Sequence, residues 1–188
     1  MSEIWEKLWK EWEKSGDDTN ISIEKIDSSE DSTNIYIEES ASEINASHLG
    51  ISSSKWNPKP QPNWPSFSVG SKINYQFRLN NSGYLIVTEK FASGEIYCIA
   101  PSVLSPPFPV PWGTLILPKD KDDPFVIQPP IGYEEIIAVY SKEEPQLDWL
   151  PQPEDEPLEL QTENLASLLN HVKKNNCQLM RYKYLITA

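Results

Sequence analysis

Residues 70–101 read GSKINYQFRLNNSGYLIVTEKFASGEIYCIAP, and residues 113–141 read GTLILPKDKDDPFVIQPPIGYEEIIAVYS. Short runs of β-branched and aromatic residues alternate there with Gly, Pro and Asn-Ser punctuation, which is strand and turn chemistry. The pattern predicts strands at Ile73–Leu79, Tyr84–Phe91, Glu95–Ala100, Thr114–Leu117, Phe125–Gln128 and Glu134–Ser141. Asn80-Asn81-Ser82-Gly83 and Ala92-Ser93-Gly94 form two of the turns. Downstream, Thr162–Asn175 predicts a helix with Thr162 as its N-cap and Leu165, Leu168, Leu169 and Val172 on one face. Lys173 and Lys174 in its last turn complement the helix dipole. Cys177–Ile186 then predicts a final strand. The expected fold is mostly β: a small antiparallel β-sandwich or partly closed barrel with one C-terminal helix.

An arm of different composition precedes this unit. Residues 1–14, MSEIWEKLWKEWEK, place Ile4, Trp5, Leu8, Trp9 and Trp12 at helical spacing, with Glu and Lys on the other face. A helix of about 14 residues is marginal alone in water, so its Trp stripe needs something to pack on. Residues 15–66 are rich in Ser, Asp, Glu and Asn and then in Pro, too polar to bury a core, and are expected to be a flexible linker. Two islands interrupt them, Ile21-Ser22-Ile23-Glu24 and Ile35-Tyr36-Ile37-Glu38. Each can add to an open sheet edge, pack on the protein's own sheet, or merely decorate the linker. The expected organisation is therefore a helix over 1–14, a linker over 15–66 and a β domain over 67–188.

The β-rich stretch resembles a known family. Gly83-Tyr84-Leu85-Ile86-Val87, then Ser93-Gly94-Glu95-Ile96-Tyr97 running into Pro101, then Gly132 before Glu134–Tyr140, are similar to the DUF4384 domain. The resemblance covers roughly residues 67–145. It departs at Ala100-Pro101-Ser102, where the family has a bulky apolar residue and Pro-Asn, and in the proline-rich insert Val103–Trp112. It implies a bacterial module without assigned catalytic residues. Such modules are commonly joined to caspase-like peptidases, protein kinases or other signalling domains.

Composition narrows the function classes. With 16 basic and 28 acidic residues the net charge is −12, which disfavours nucleic acid and anionic membrane surfaces as partners. No apolar run is long enough for a membrane span or a signal peptide, and Cys98 and Cys177 make no disulfide framework, so a cytoplasmic protein is expected. Metal-ligand spacings and a Gly-rich phosphate loop are absent, and no cofactor is expected. His48 lies in the linker, and His171 and Cys177 lack a third orienting group, so His171 is expected on the helix surface and Cys177 buried. The acidic clusters at Lys119–Asp123, Glu134-Glu135, Glu143-Glu144 and Glu154-Asp155-Glu156 read as solvated loop tips.

No catalytic set emerges, and the expected function is a non-enzymatic interaction or regulatory module. Ile4, Trp5, Leu8, Trp9 and Trp12 would dock in a partner groove, or fold back on the protein's own domain. The resemblance implies a caspase-like peptidase, kinase or other signalling protein as partner. Three alternatives stay open. A carbohydrate-binding module would stack sugars on Trp112 or Trp149, although Trp56, Trp64, Trp112 and Trp149 in proline-rich segments can equally pin loops to the sheet. A hydrolase would need an acid pair such as Glu134 and a distant carboxylate. The arm could instead be the substrate of an associated caspase-like protease.

Overall fold

The computed structural model describes residues 2–15, 21–26 and 64–188. Its elements, in chain order, are α1 (Ser2–Ser15), β1 (Ile21–Ile26), β2 (Ser66–Ser68), β3 (Lys72–Leu79), β4 (Tyr84–Lys90) and β5 (Ile96–Ala100). There follow β6 (Gly113–Leu117), β7 (Phe125–Val126), β8 (Gly132–Ser141), β9 (Leu158–Glu159), α2 (Thr162–Asn175) and β10 (Gln178–Thr187). The protein is mostly β, with two sheets. One has the order β1-β3-β6, with β7 also pairing β3; the other, of six strands, runs β2-β10-β8-β4-β5-β9. All pairings are antiparallel except β2 with β10. The sheets face each other without closing, so the fold is a sandwich and not a barrel.

Period-two alternation decides what each strand contributes. Ile73, Tyr75, Phe77 and Leu79 of β3 point between the sheets, where they meet Leu85 and Val87 of β4, Ile136, Ala138 and Tyr140 of β8, and Met180, Tyr184 and Ile186 of β10. The intervening residues of the six-stranded sheet are apolar too. Ile86, Cys98, Ile137, Val139 and Leu179 build a second core under Leu165, Leu168, Leu169 and Val172 of α2 and Trp5 and Leu8 of α1. Both faces of this sheet are therefore buried, which explains the nearly unbroken apolar runs YLIV and IIAV. A bulge between Val87 and Thr88 turns both Ile99 and Ala100 of β5 toward the first core.

Two local expectations change. The N-cap of α2 is Gln161, not Thr162; the Gln161 amide donates to Asn164 Oδ1 at 2.8 Å, and Thr162 is already helical. Asn176 closes the helix in the left-handed conformation, at φ 48°. Ile21–Ile26, inside the segment expected as linker, forms β1 and pairs with β3 from Ile21↔Phe77 to Ile26↔Lys72. Ile21 and Ile23 pack on the first core, so alternate apolar residues suffice to seat the segment on the β3 edge. The second island, Ile35–Glu38, lies outside the described residues, as do His48 and Trp56.

At the turn between β3 and β4, Gly83 exchanges backbone hydrogen bonds with Val110, and the Tyr140 hydroxyl donates to the carbonyls of Asn81 and Ser82. A Cβ on Gly83 would lie 2.6 Å from the Ser141 carbonyl oxygen and 2.7 Å from the Tyr140 ring. Only glycine lets the turn approach β8 this closely. Gly83→Ala should lower the stability of the fold by about 1–3 kcal/mol in urea unfolding, the usual cost of overpacking; an unchanged midpoint would show that the turn shifts freely away from β8.

Candidate functional site

Two arrangements hold the chemistry of this fold, and they lie on opposite faces of the same strands. The first is the seat of α1. Its apolar stripe buries Trp5 and Leu8 completely against the six-stranded sheet and α2, while Ile4, Trp9 and Trp12 are half-buried at the margin. The residues expected to dock on a partner are thus packed on the protein's own domain. Polar anchors fix the register of that packing. The Trp5 indole N–H donates to Glu135 Oε2 at 2.7 Å. Lys183 and Lys90 hold the same carboxylate at 2.8 and 3.5 Å. Burial pushes the Glu135 carboxyl up, but Lys183, the Trp5 N–H and Lys90 outweigh it and keep the group below its ordinary range. Farther along, the Arg181 guanidinium lies 4.1 Å from the Trp12 ring centroid and 5.1 Å from that of Trp9, and it donates to the Trp9 carbonyl. Lys173 of α2 reaches Glu11 at 3.9 Å.

The second arrangement lies between the sheets, at the end of the sandwich where β8 begins. Glu89 of β4 and Glu134 of β8 both point inward and are buried, with Tyr75 of β3 and Tyr184 of β10 beside them. The Tyr75 hydroxyl donates to Glu89 Oε1 at 2.6 Å, and the Tyr184 hydroxyl lies 3.0 Å from the same oxygen. Tyr184 also makes a very short contact with Glu134 Oε2, and the two phenol oxygens are 3.1 Å apart. The Ala92 amide donates to Glu134 Oε1 at 3.4 Å. Burial, reinforced by the neighbouring Glu134, pushes the Glu89 carboxyl up to about 8. Glu134 is raised as well, by burial, although Tyr184 and the Ala92 amide oppose the shift. Phe67 covers Tyr184 edge-on at 5.6 Å, and Phe125 packs on Tyr75 at 4.8 Å. Glu134 and Glu135 are thus not the solvated loop tip expected: both lie within β8, and Glu134 is enclosed in the core beside Glu89.

The remaining candidates are scattered. Trp112 is 74% exposed, the most exposed large apolar residue described. Trp149 instead packs on the second core and donates from Nε1 to Ser167 Oγ at 2.8 Å, pinning its proline-rich segment to α2. Trp64 pins another, edge-on to Tyr182 at 5.8 Å. His171 is buried and not on the helix surface as expected, because α2 turns that position toward the end of β8. Its Nδ1 pairs with Asn175 at 2.8 Å, and burial lowers the imidazole's proton affinity. His171 and Cys177 both line a groove of about 720 Å³ with Tyr140 and Lys174, and burial pushes the Cys177 thiol up to about 11. A raised thiol is a poor nucleophile. Among the described residues no group of three or more His, Cys, Asp or Glu could hold a metal ion, and no helix is long and apolar enough to cross a membrane. In the 119–123 cluster, Asp120 Oδ1 accepts from the Asp122 amide at 3.0 Å, a self-closed solvated turn.

With this geometry in place, the comparison with protein families bears on the β2–β8 region. Residues 66–144 match the family described as "Domain of unknown function (DUF4384)". No curated protein and no solved structure matches the chain. The DUF4384 segment supplies β2 through β8. It does not supply β10, which lies between β2 and β8 within the six-stranded sheet, nor either helix. Glu89, Glu134 and Tyr75 fall inside the DUF4384 segment, and Tyr184 outside it. The α1 seat is likewise shared: Lys90 and Glu135 come from the segment, Arg181 and Lys183 from β10.

Trp5→Ala should cost about 3–5 kcal/mol in urea unfolding, the usual range for a buried aromatic. Trp5→Phe keeps a ring but removes the donor to Glu135, and should cost about 1.5–3 kcal/mol, as for hydrogen bonds to charged groups. Equal stability of wild type and Trp5→Ala would mean that α1 does not rest on the sheet in solution.

Proposed function

We propose that this protein is a non-enzymatic interaction and regulatory module. Its N-terminal helix is the docking element, stored on the domain's own sheet until a partner competes for it. The observation that supports this reading is the manner in which α1 is held. Only Trp5 and Leu8 are fully buried, while Ile4, Trp9 and Trp12 stay half-buried at a rim of ion pairs and cation–π contacts. Aromatic and Arg anchors ringed by polar contacts are the composition of a protein–protein interface. A partner displaces such a helix only by binding it more tightly than the sheet does, so the seat sets a threshold for engagement. The chain connection keeps α1 at high local concentration and raises that threshold. A caspase-like peptidase, a protein kinase or another signalling protein is the class of partner that the DUF4384 resemblance suggests, in a bacterial cytoplasm.

Capture from host lysate with full-length wild type and full-length Trp5→Ala/Trp9→Ala tests the reading. Wild type should retain a specific protein that the double variant loses, with far-UV circular dichroism confirming that the variant's β domain is folded. Equal retention by both, or by neither, would remove α1 as the docking element. A carbohydrate-binding role is favoured by one observation only, the 74% exposure of Trp112. It requires oligosaccharides to change the fluorescence of the wild type and not of Trp112→Phe.

A further inference from the structure

The interior cluster contains more oxygen contacts than its phenols can satisfy. Tyr75–Glu89, Tyr184–Glu89, Tyr75–Tyr184 and Tyr184–Glu134 make four oxygen–oxygen contacts of 3.1 Å or less. A contact of that length is attractive only with a hydrogen between the oxygens. The two phenols supply two hydrogens. Were both carboxyls ionised, two contacts would set lone pair against lone pair inside a core where unpaired charge is strongly penalised. The Ala92 amide does not relieve them, because it reaches the other oxygen of Glu134.

Among the described residues no cation acts on Glu89 to offset the deficit. The ionisable groups acting on Glu89 are Glu134 from β8, Tyr75 from β3 and Tyr184 from β10. Lys90, Glu135 and Lys183 follow or precede these residues in sequence, and alternation turns them to the opposite face, where they pair with one another and with Trp5. Beside Glu89 on β5 stands Tyr97, and Tyr182 of β10 packs on the same core. On β1, the residue opposite Tyr75 is Ile23, and Glu24 bonds Gln76.

We propose that the Tyr75–Glu89–Tyr184–Glu134 cluster holds a carboxyl proton at neutral pH and is a pH-sensitive clasp between the two sheets, weakened when that proton is lost. Tyr75 is the cluster's contribution from the β3 sheet, whereas Glu89, Glu134 and Tyr184 belong to the other sheet. A third hydrogen serves one of the two contacts that the phenols leave empty, so its loss weakens the packing of Tyr75 against Glu89 and Tyr184 at this end. Glu89 is the favoured carrier, since it is the more deeply buried acid and faces both phenols. Its proton affinity is raised in the folded state, so between about 4.5 and about 8 the native protein binds a proton that the unfolded chain does not. The clasp's contribution is complete below that window. It is lost at up to about tenfold in the folding equilibrium constant per pH unit as pH rises, and levels off above it.

The test uses the full-length protein. Urea unfolding from pH 5 to pH 9 should show stability falling through this window in wild type. In Glu89→Gln, which keeps a donor and an acceptor but cannot ionise, that component of the slope should vanish, so that the variant gains on wild type toward alkaline pH. Carbon-13 NMR titration of the wild-type glutamate carboxyls decides the matter even if the variant fails to fold. One carboxyl should titrate with a midpoint several pH units above the others. If every glutamate titrates in the ordinary range, or if Glu89→Gln keeps the full wild-type slope, the clasp is overturned.

Discussion

The six-stranded sheet is apolar on both faces, and the rest of the molecule follows from the need to cover it twice. Residues Leu85, Val87, Ile136, Ala138 and Met180 demand a layer on one side, and Ile86, Ile137, Val139 and Leu179 demand one on the other. The β3 sheet answers the first demand. Among the described residues, two amphipathic helices, α1 and α2, answer the second. A chain with only the strands of residues 66–144 would leave one face of β4 and β8 in water and would lack β10 between β2 and β8. The surfaces that these strands leave open are covered by α1, α2 and β10, all outside residues 66–144.

Much of this was legible in the sequence, for identifiable reasons. The strands stood out because each is a β-branched run cut by turn residues, and α2 because Leu165, Leu168, Leu169 and Val172 repeat at helical spacing. Amphipathicity also announced α1, but it reveals that a helix needs a partner surface and not which one. The seat depends on Glu135, Arg181 and Lys183, more than 100 residues away, whose shared face exists only once β8 and β10 pair. β1 was harder still, since Ile21 and Ile23 offer just two inward positions and the edge that accepts them is invisible from sequence. The interior cluster left the weakest trace. Its signal was Glu89 continuing the inward series Leu85, Val87, an acid at a core position, yet only the opposite sheet shows what it meets.

Adjacent residues on three strands play opposite electrostatic parts. Glu134 and Glu135 are neighbours, yet burial without a cation raises the first, while two lysines and an indole lower the second. Glu89 and Tyr184 face the interior, while their neighbours Lys90 and Lys183 pair with Glu135 on the other face. The pleat alone separates a proton-holding interior from an ionised exterior, across a backbone one residue thick. A one-residue slip of β8 against its neighbours would exchange the two, placing a lysine-dependent carboxylate in the core and an apolar-adapted acid under α1. The charges thus reinforce the register that the apolar pattern selects.

The same pleat ties the α1 seat to the inner cluster. Glu135 receives Trp5 from one side of β8, and Glu134 receives Tyr184 from the other, so the start of this strand carries anchors for both layers. Gly132, at φ 146°, lies two residues before Glu134, where a Cβ would stand 3.2 Å from the Ala92 side chain. The β4–β5 turn can therefore settle against β8 closely enough for the Ala92 amide to reach Glu134. Any displacement of this strand end to accommodate repulsion between ionised Glu89 and Glu134 would also move Glu135 relative to the indole it holds. Helix seat and carboxyl cluster share one short piece of backbone, and what loosens one side of it strains the other.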